Sequence, residues 1–129
     1  MCLRGHVIVD QTNHLPSKGA FLVDEDDEAA WGKFSAFCAE LVQARENGRQ
    51  KEYITQRFGE EYPLDLQLED IISDSLGSLR AVFGHRMYEC EQCGRLWLQP
   101  IASKNHSISY LPETVERGIL RSDKNKMQQ

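Results

Sequence analysis

The sequence lacks any long apolar run, and this excludes several classes of protein. Its purely apolar stretches are only a few residues long, whereas a membrane-spanning helix needs about 20. Residues 1–10 also contain no apolar segment of the roughly 7–15 residues that defines a secretory signal. We therefore expect a cytoplasmic protein that has no membrane partner.

Proline and cysteine are scarce as well, with four of each among 129 residues. The hydrophobic share of 40% and the charged share of 27% are those of an ordinary globular protein. We predict a single domain over residues 1–120, followed by a disordered tail at 121–129. Four cysteines are too few for a disulfide scaffold, so a close pair of them in a reducing compartment indicates metal or redox chemistry.

Sequence patterns that mark common enzyme classes are absent too. The chain has no P-loop, no G-x-S-x-G, no H-E-x-x-H and no glycine pattern for dinucleotides. The four histidines do not stand at the spacing that marks a catalytic helix. We therefore expect a protein that is not an enzyme.

Charge is distributed unevenly around a net value of −5. Residues 1–83 carry eight Lys/Arg and fifteen Asp/Glu, and residues 84–129 carry seven and five. An acidic protein repels phosphate backbones, so nucleic-acid binding is an alternative that depends on a small basic set: Arg86, Arg95, Arg117, Arg121, Lys124 and Lys126. The acidic run at 24–28 suits a basic protein partner instead, such as a toxin.

Apolar spacing predicts the secondary structure. Separations of three and four residues mark one buried helical face formed by Trp31, Phe34, Phe37, Cys38, Leu41 and Val42. This helix ends at Asn47-Gly48, and a short helix at 49–58 and a longer one at about 67–83 follow. Strands are predicted at 7–9, 20–23, 87–89, 96–98 and 108–111. The predicted fold is α+β, in which terminal β-hairpins form a small antiparallel, zinc-ribbon-like sheet packed against two main helices and one short helix.

The feature with the clearest chemical meaning is the segment Cys90-Glu91-Gln92-Cys93-Gly94, which lies between two predicted strands. A tight turn between strands can aim both sulfurs at one point, and Gly94 can adopt the positive φ angle that such a turn often needs. We predict a structural zinc site. A dithiol redox pair is the less favoured interpretation, because redox pairs precede a helix and here a predicted strand follows Cys93.

Structural zinc needs four ligands, so two more must be found. Cys2 and His6 are the first candidates, because they flank a short predicted strand at the other end of the chain and would converge if the terminal β-segments pair. His85 precedes the cysteine hairpin and His106 follows it, so either is an alternative. His14 lies in a turn-rich loop and is expected to be solvated. We expect Trp97 to be buried; if exposed, it becomes a candidate contact residue.

Two parts of the chain carry a resemblance to a known group of proteins. The segment 88–97 followed by Tyr110-Leu111-Pro112-Glu113, and the stretches 5–10, 15–19 and 24–26, resemble small bacterial proteins with zinc-ribbon-like ends, some of which are similar to immunity proteins of toxin systems. In such proteins a cysteine pair precedes the first glycine, whereas only Cys2 stands there in this chain. The resemblance implies a protein-interaction, immunity-like or regulatory function with structural zinc. Either His6 replaces the missing ligand or the metal has been lost.

Overall fold

A computed structural model describes residues 15–123, which fall into two compact units. The helical unit comprises residues 23–83, and the sheet unit comprises the described residues 15–22 and 84–123. Together they contain three helices and a four-stranded antiparallel sheet, which confirms the α+β prediction. The helical unit is inserted in the chain between the first and second strands. A single domain over residues 1–120 stays a prediction.

Three helices form the helical unit: α1 (Asp24–Glu46), α2 (Gln50–Phe58) and α3 (Leu68–Phe83). Four carboxylates in the first turn of α1 and Arg45 in its last turn complement the helix dipole. After Asn47 the chain leaves the helical path at Gly48, whose φ is 71°. The sequence therefore placed the helix boundaries within one or two residues.

The core of the helical unit is apolar and small. It consists of Phe37, Leu41, Ile54 and Ile71, which are at most 2% exposed. Half-buried side chains pack around these four, among them Cys38, as expected for a small apolar residue on the inner face of α1. Helix α1 contacts both α2 and α3, so it supplies the central wall of this core.

Trp31 was expected in this core, and that prediction is wrong. Its side chain is 54% exposed, and its indole N–H donates to Asp27 Oδ1 at 3.0 Å, one turn earlier in α1. At about 100° per residue, Trp31 and Val42 lie at one edge of the apolar stripe, roughly 80° or more from Phe37 and Leu41. Val42 is likewise 51% exposed, so the stripe is wider than the face that α1 buries.

The sheet contains β1 (Lys18–Phe21), β2 (His85–Glu89), β3 (Leu96–Leu98) and β4 (Ile108–Tyr110) in that spatial order. All three pairings are antiparallel, with registers Lys18↔Tyr88, Met87↔Leu98 and Trp97↔Ser109. The first described strand therefore pairs with the strand that leads into the cysteine turn, although it begins two residues before the predicted position. The predicted strand at 7–9 lies outside the described residues.

Within residues 15–123, none of the helices combines the length and the apolar character needed to cross a membrane.

Candidate functional site

The cysteine turn connects β2 to β3 at one end of the sheet. The N–H of Cys90 donates to the carbonyl of Arg95 at 2.9 Å, and the N–H of Gly94 donates to the carbonyl of Cys90 at 2.6 Å. Gly94 has a φ of 76°, a conformation that costs an L-residue strain. The predicted conformational reason for a glycine after the second cysteine is therefore confirmed.

Both cysteines of the turn are buried thiols. Cys90 is 3% exposed and Cys93 is 7% exposed, and the half-buried Trp97 packs against the pair. Trp97 is thus neither fully buried nor a free surface residue. Two sulfurs held close in sequence on a tight hairpin are donors of the type that Zn²⁺ prefers.

The described residues supply only this pair. Among residues 15–123, no three or more His, Cys, Asp or Glu side chains are placed together so that they could hold a metal ion. The first candidates for the other two ligands, Cys2 and His6, lie outside the described residues. The chain enters β1 from the cysteine end of the sheet, because the N–H of Glu89 donates to the carbonyl of Ser17 at 2.8 Å.

The two alternative histidines lie at the opposite end of the sheet. His85 is five residues before Cys90 on an extended strand, a separation of about 16 Å at roughly 3.3 Å per residue. Its Nδ1 is 2.8 Å from the carbonyl oxygen of Gln99, and its ring stacks on Phe21 with centroids 4.8 Å apart. His106 is exposed in the loop between β3 and β4, which starts at that same end. The structure therefore does not bring either histidine to the cysteine pair.

Gln99 organises this opposite end and was missed by the sequence reasoning. Its side chain is 7% exposed, and its Oε1 accepts from the N–H of Arg86 at 2.9 Å. Its Nε2 donates to the carbonyls of Ala102 at 3.1 Å and Lys104 at 2.6 Å. The amide thus fixes the long loop that connects β3 to β4, and a lone glutamine gives no sequence pattern from which this role could be read.

Residues 115–121, called the strap below, contact the cysteine turn. The N–H of Gly118 donates to Oε2 of Glu89 at 3.1 Å, and Nη2 of Arg121 lies 2.9 Å from Oε1 of Glu91. Nε of Arg117 is 3.5 Å from the carbonyl of Gln92. Sequence reasoning missed this arrangement, although two acids around Cys90 and two arginines four residues apart were a usable charge signal.

Two of the basic residues proposed for nucleic-acid contacts lie in the strap. Arg117 and Arg121 are directed at the turn, and Nη1 of Arg95 donates to Oγ of Ser109 at 3.1 Å. Of the basic residues proposed for nucleic-acid contacts, Arg86 is exposed, while Lys124 and Lys126 lie outside the described residues. The predicted disordered tail at 121–129 stays a prediction; its first residue, Arg121, forms an ion pair with Glu91.

The start of α1 presents a second surface. Asp24, Glu25, Asp26 and Asp27 occupy its first turn, and the exposed Trp31 lies one turn further on. We call these five residues the acidic Trp31 patch. A large exposed aromatic ring beside several carboxylates offers both contact area and a field that attracts cations.

A surface cleft of about 540 Å³ lies where α1 gives way to α2. Its lining includes three cations, Arg45, Arg49 and Lys51, together with Glu52. Cysteine, histidine and hydroxyl side chains do not line it. The lining of the cleft is therefore predominantly cationic.

The chain belongs to the family described as Domain of unknown function (DUF8617), which matches residues 1–114. No curated protein and no solved structure matches it. The matched range includes the cysteine turn and the candidate ligands Cys2 and His6, and it ends just before the strap.

Proposed function

We propose that this member of the DUF8617 family is a non-enzymatic protein-interaction module of the immunity-like or regulatory type, with structural zinc in its sheet unit and a basic protein as its partner. The zinc site has Cys90, Cys93, Cys2 and His6 as ligands. The buried cysteine pair supports the metal, and the acidic Trp31 patch supports the partner.

The argument for zinc starts from the two buried sulfurs. Packing alone can account for two buried thiols beside Trp97. The positive φ of Gly94 and the short hydrogen bond from its N–H to the carbonyl of Cys90 also define a tight turn, and such a turn can direct two sulfurs at one metal ion. The chain enters the sheet from the same end. Ser17 follows His6 by eleven residue steps, a length that can reach up to about 36 Å, so chain length does not prevent the N-terminal ligands from arriving.

Metal analysis of the purified chain tests the zinc site. We expect one zinc per chain, lost in Cys90→Ser and in Cys93→Ser and bound more weakly in Cys2→Ser and His6→Asn. Cys38→Ala and His106→Ala are matched controls that should keep the metal, because Cys38 packs in the helical unit and His106 is exposed. A reconstituted wild-type chain that takes up no zinc would remove the site; zinc retained in Cys2→Ser and His6→Asn would reassign its second pair of ligands.

The argument for a basic partner rests on the exposure of Trp31. Tryptophan is enriched among the residues that dominate interface affinity, and 54% of this ring faces solvent. The neighbouring carboxylates raise the association rate with a positively charged protein and discriminate against acidic ones. A toxin that binds nucleic acid would carry this charge, so the patch supports the immunity-like role that we propose.

Site-specific cross-linking in cells tests the partner. A photoreactive residue at position 31 should yield one discrete adduct with a basic protein, and Asp24→Asn with Glu25→Gln should suppress it by removing two of the four first-turn carboxylates. Position 42 is the control, because Val42 is equally exposed on the same helix but far from the carboxylates. Identical adducts from both positions, or adducts insensitive to the charge change, would refute the proposal.

The two alternatives receive less support. A nucleic-acid-associated zinc ribbon would use Arg86, Arg95 and the basic tail, but Arg95 and Arg121 already have partners in the sheet unit. Binding to heparin that falls steeply with salt would favour it. A dithiol redox protein needs a cysteine of lowered pKa, usually at a helix N-terminus, whereas β3 follows the turn here. Ordinary reactivity of both thiols would argue against that alternative.

A further inference from the structure

The strap lies over the cysteine turn and contacts it through polar groups. Three of its residues contact the end of β2 and the turn: Gly118 reaches Glu89, Arg121 reaches Glu91, and Arg117 reaches the carbonyl of Gln92. Glu89 is 1% exposed, and its Oε2 takes the Gly118 N–H. A buried carboxylate is costly without donors, so this hydrogen bond ties the strap to the end of β2, next to Cys90.

Gly94 shows how closely the strap and the adjoining loop approach. A Cβ built on this residue would lie 2.7 Å from Nη1 of Arg117 and 2.9 Å from Cγ of Pro112. In β1, a Cβ on Gly19 would lie 3.6 Å from Cδ2 of Leu120. The strap therefore covers the residue next to Cys93 and also reaches β1.

The strap is nevertheless weakly held. Val115 is 88% exposed and Ile119 is 55% exposed, so it buries little apolar surface. The Arg121 side chain is 60% exposed and that of Glu91 is 34% exposed, and an ion pair this accessible to water contributes little. A segment with few buried contacts opens at a lower free energy than the fold it covers.

We propose that the strap is a gate that controls access to Cys90 and Cys93, and thereby the rate at which the cysteine pair exchanges its ligand. Opening separates Arg121 from Glu91 and Gly118 from Glu89, which exposes the turn without unfolding the sheet. The metal part of this inference rests on the zinc site proposed above. The strap follows directly after residue 114, where the family match ends, so the gate concerns a part of this chain that the match does not cover.

Thiol alkylation of the metal-free, full-length chain tests the gate without needing zinc. With peptide-level mass spectrometry, Arg121→Gln should increase the reaction rate of Cys90 and Cys93 by about two- to fivefold, the range expected for losing an exposed ion pair. The reagent must reach a sulfur before it can react, so a faster reaction reports opening of the strap.

Charge exchange provides the matched variant. Glu91→Arg combined with Arg121→Glu recreates the ion pair in reverse and should return the rate to near the wild-type value. Lys104→Gln, which removes a cation from the opposite end of the hairpin, should leave the rate unchanged, and Cys38 in the helical unit is the internal reference. Slower or unchanged alkylation in Arg121→Gln, or no rescue by the exchanged pair, would overturn the gate.

The zinc-loaded chain extends the test. Zinc transfer to a competing chelator should be faster in Arg121→Gln by the same factor as alkylation. A chain that binds no zinc would refute the proposed metal site but leave the alkylation result intact. Zinc that binds yet leaves at the wild-type rate from Arg121→Gln would refute the gate alone.

Discussion

The two units of this protein bury different chemistry. The helical unit buries Phe37, Leu41, Ile54 and Ile71, all large and apolar. The sheet unit buries two cysteines together with three polar or charged side chains, those of His85, Glu89 and Gln99. Hydrophobic burial therefore holds the helices together, while the sheet depends on hydrogen bonds and, in our proposal, on a metal.

The short strands of the sheet unit add to this difference in what the two units bury. The four strands have only three to five residues each, and the buried hydrophobic cluster at the cysteine turn contains no aliphatic side chain. A small sheet without an extensive apolar face is marginal in water. Natural folds of this kind are commonly stabilised by a metal or by disulfides, and our proposal assigns a metal to this sheet.

Removal of the proposed zinc should have the largest effect. Structural zinc in small domains contributes on the order of 10 kcal/mol, so chelation should destabilise the sheet unit far more than any single substitution. Hydrogen exchange should accelerate at amides of β2 and β3 and change little in α1 and α3. Equal acceleration in both units, or none in the zinc-loaded chain after chelation, would contradict the contrast between a metal-held sheet and an apolar helical core.

Truncation of the helical core comes next. Phe37→Ala should lower the free energy of unfolding of the helical unit by about 3–5 kcal/mol, because it leaves a cavity among Leu41, Ile54 and Ile71. Val42→Ala on the same helix should change it by less than about 0.5 kcal/mol, since Val42 is exposed. Denaturant titration gives both values. Zinc content should stay the same in Phe37→Ala. Loss of zinc from this variant would show that the stability of the sheet unit depends on the helical core.

Apolar spacing was enough to place all three helices, because periodicity and the break at Asn47-Gly48 are local signals. The same spacing placed Trp31 in the core incorrectly, because it counts apolar residues and does not show how much of the stripe the neighbouring helices cover. The cysteine turn was also readable, since two sulfurs and a glycine at fixed offsets define a conformation. Tertiary contacts such as Gly118 to Glu89 and Gln99 to its loop had no local signature.

The candidate zinc ligands also divide into those that local sequence identifies and those that need tertiary structure. The sequence identified Cys90 and Cys93 through their spacing, but ranking His85 and His106 required the register that places both at the far end of the hairpin. Cys2 and His6 lie outside the described residues, so their assignment stays a prediction. A distance in space can be read from a sequence only when the intervening chain is a strand or helix of known rise.

High pH should weaken the helical unit selectively. Burial, followed by hydrogen bonding to Glu40, raises the pKa of Tyr53 to about 12, and burial, followed by hydrogen bonding to Asp74, raises the pKa of Tyr62 to about 12. The protonated phenols are favoured in the folded chain, so their contribution is complete below about pH 10 and is lost between about pH 10 and 12.

Unfolding curves of the wild type and of Tyr53→Phe with Tyr62→Phe measure this effect, because other groups titrate equally in both proteins. The wild type should be the more stable near pH 8, and the gap should narrow above pH 10. A gap that stays constant up to pH 12 would show that neither phenol titrates differently in the folded and unfolded chains.

Ser75 is the polar exception in the helical unit and gives the smallest prediction. It is 0% exposed, and its Oγ has no hydrogen-bond partner, in contrast to the buried Gln99 amide of the sheet unit, whose donors and acceptor are used. Ser75→Ala should raise the free energy of unfolding by about 1 kcal/mol, because it removes an unsatisfied hydroxyl from an apolar site. Ser78→Ala is the control, since its Oγ donates to the carbonyl of Asp74 at the exposed surface. If Ser75→Ala instead loses stability, the hydroxyl has a partner, such as a buried water. The helical core would then contain a satisfied polar group and would differ less from the sheet unit in what it buries.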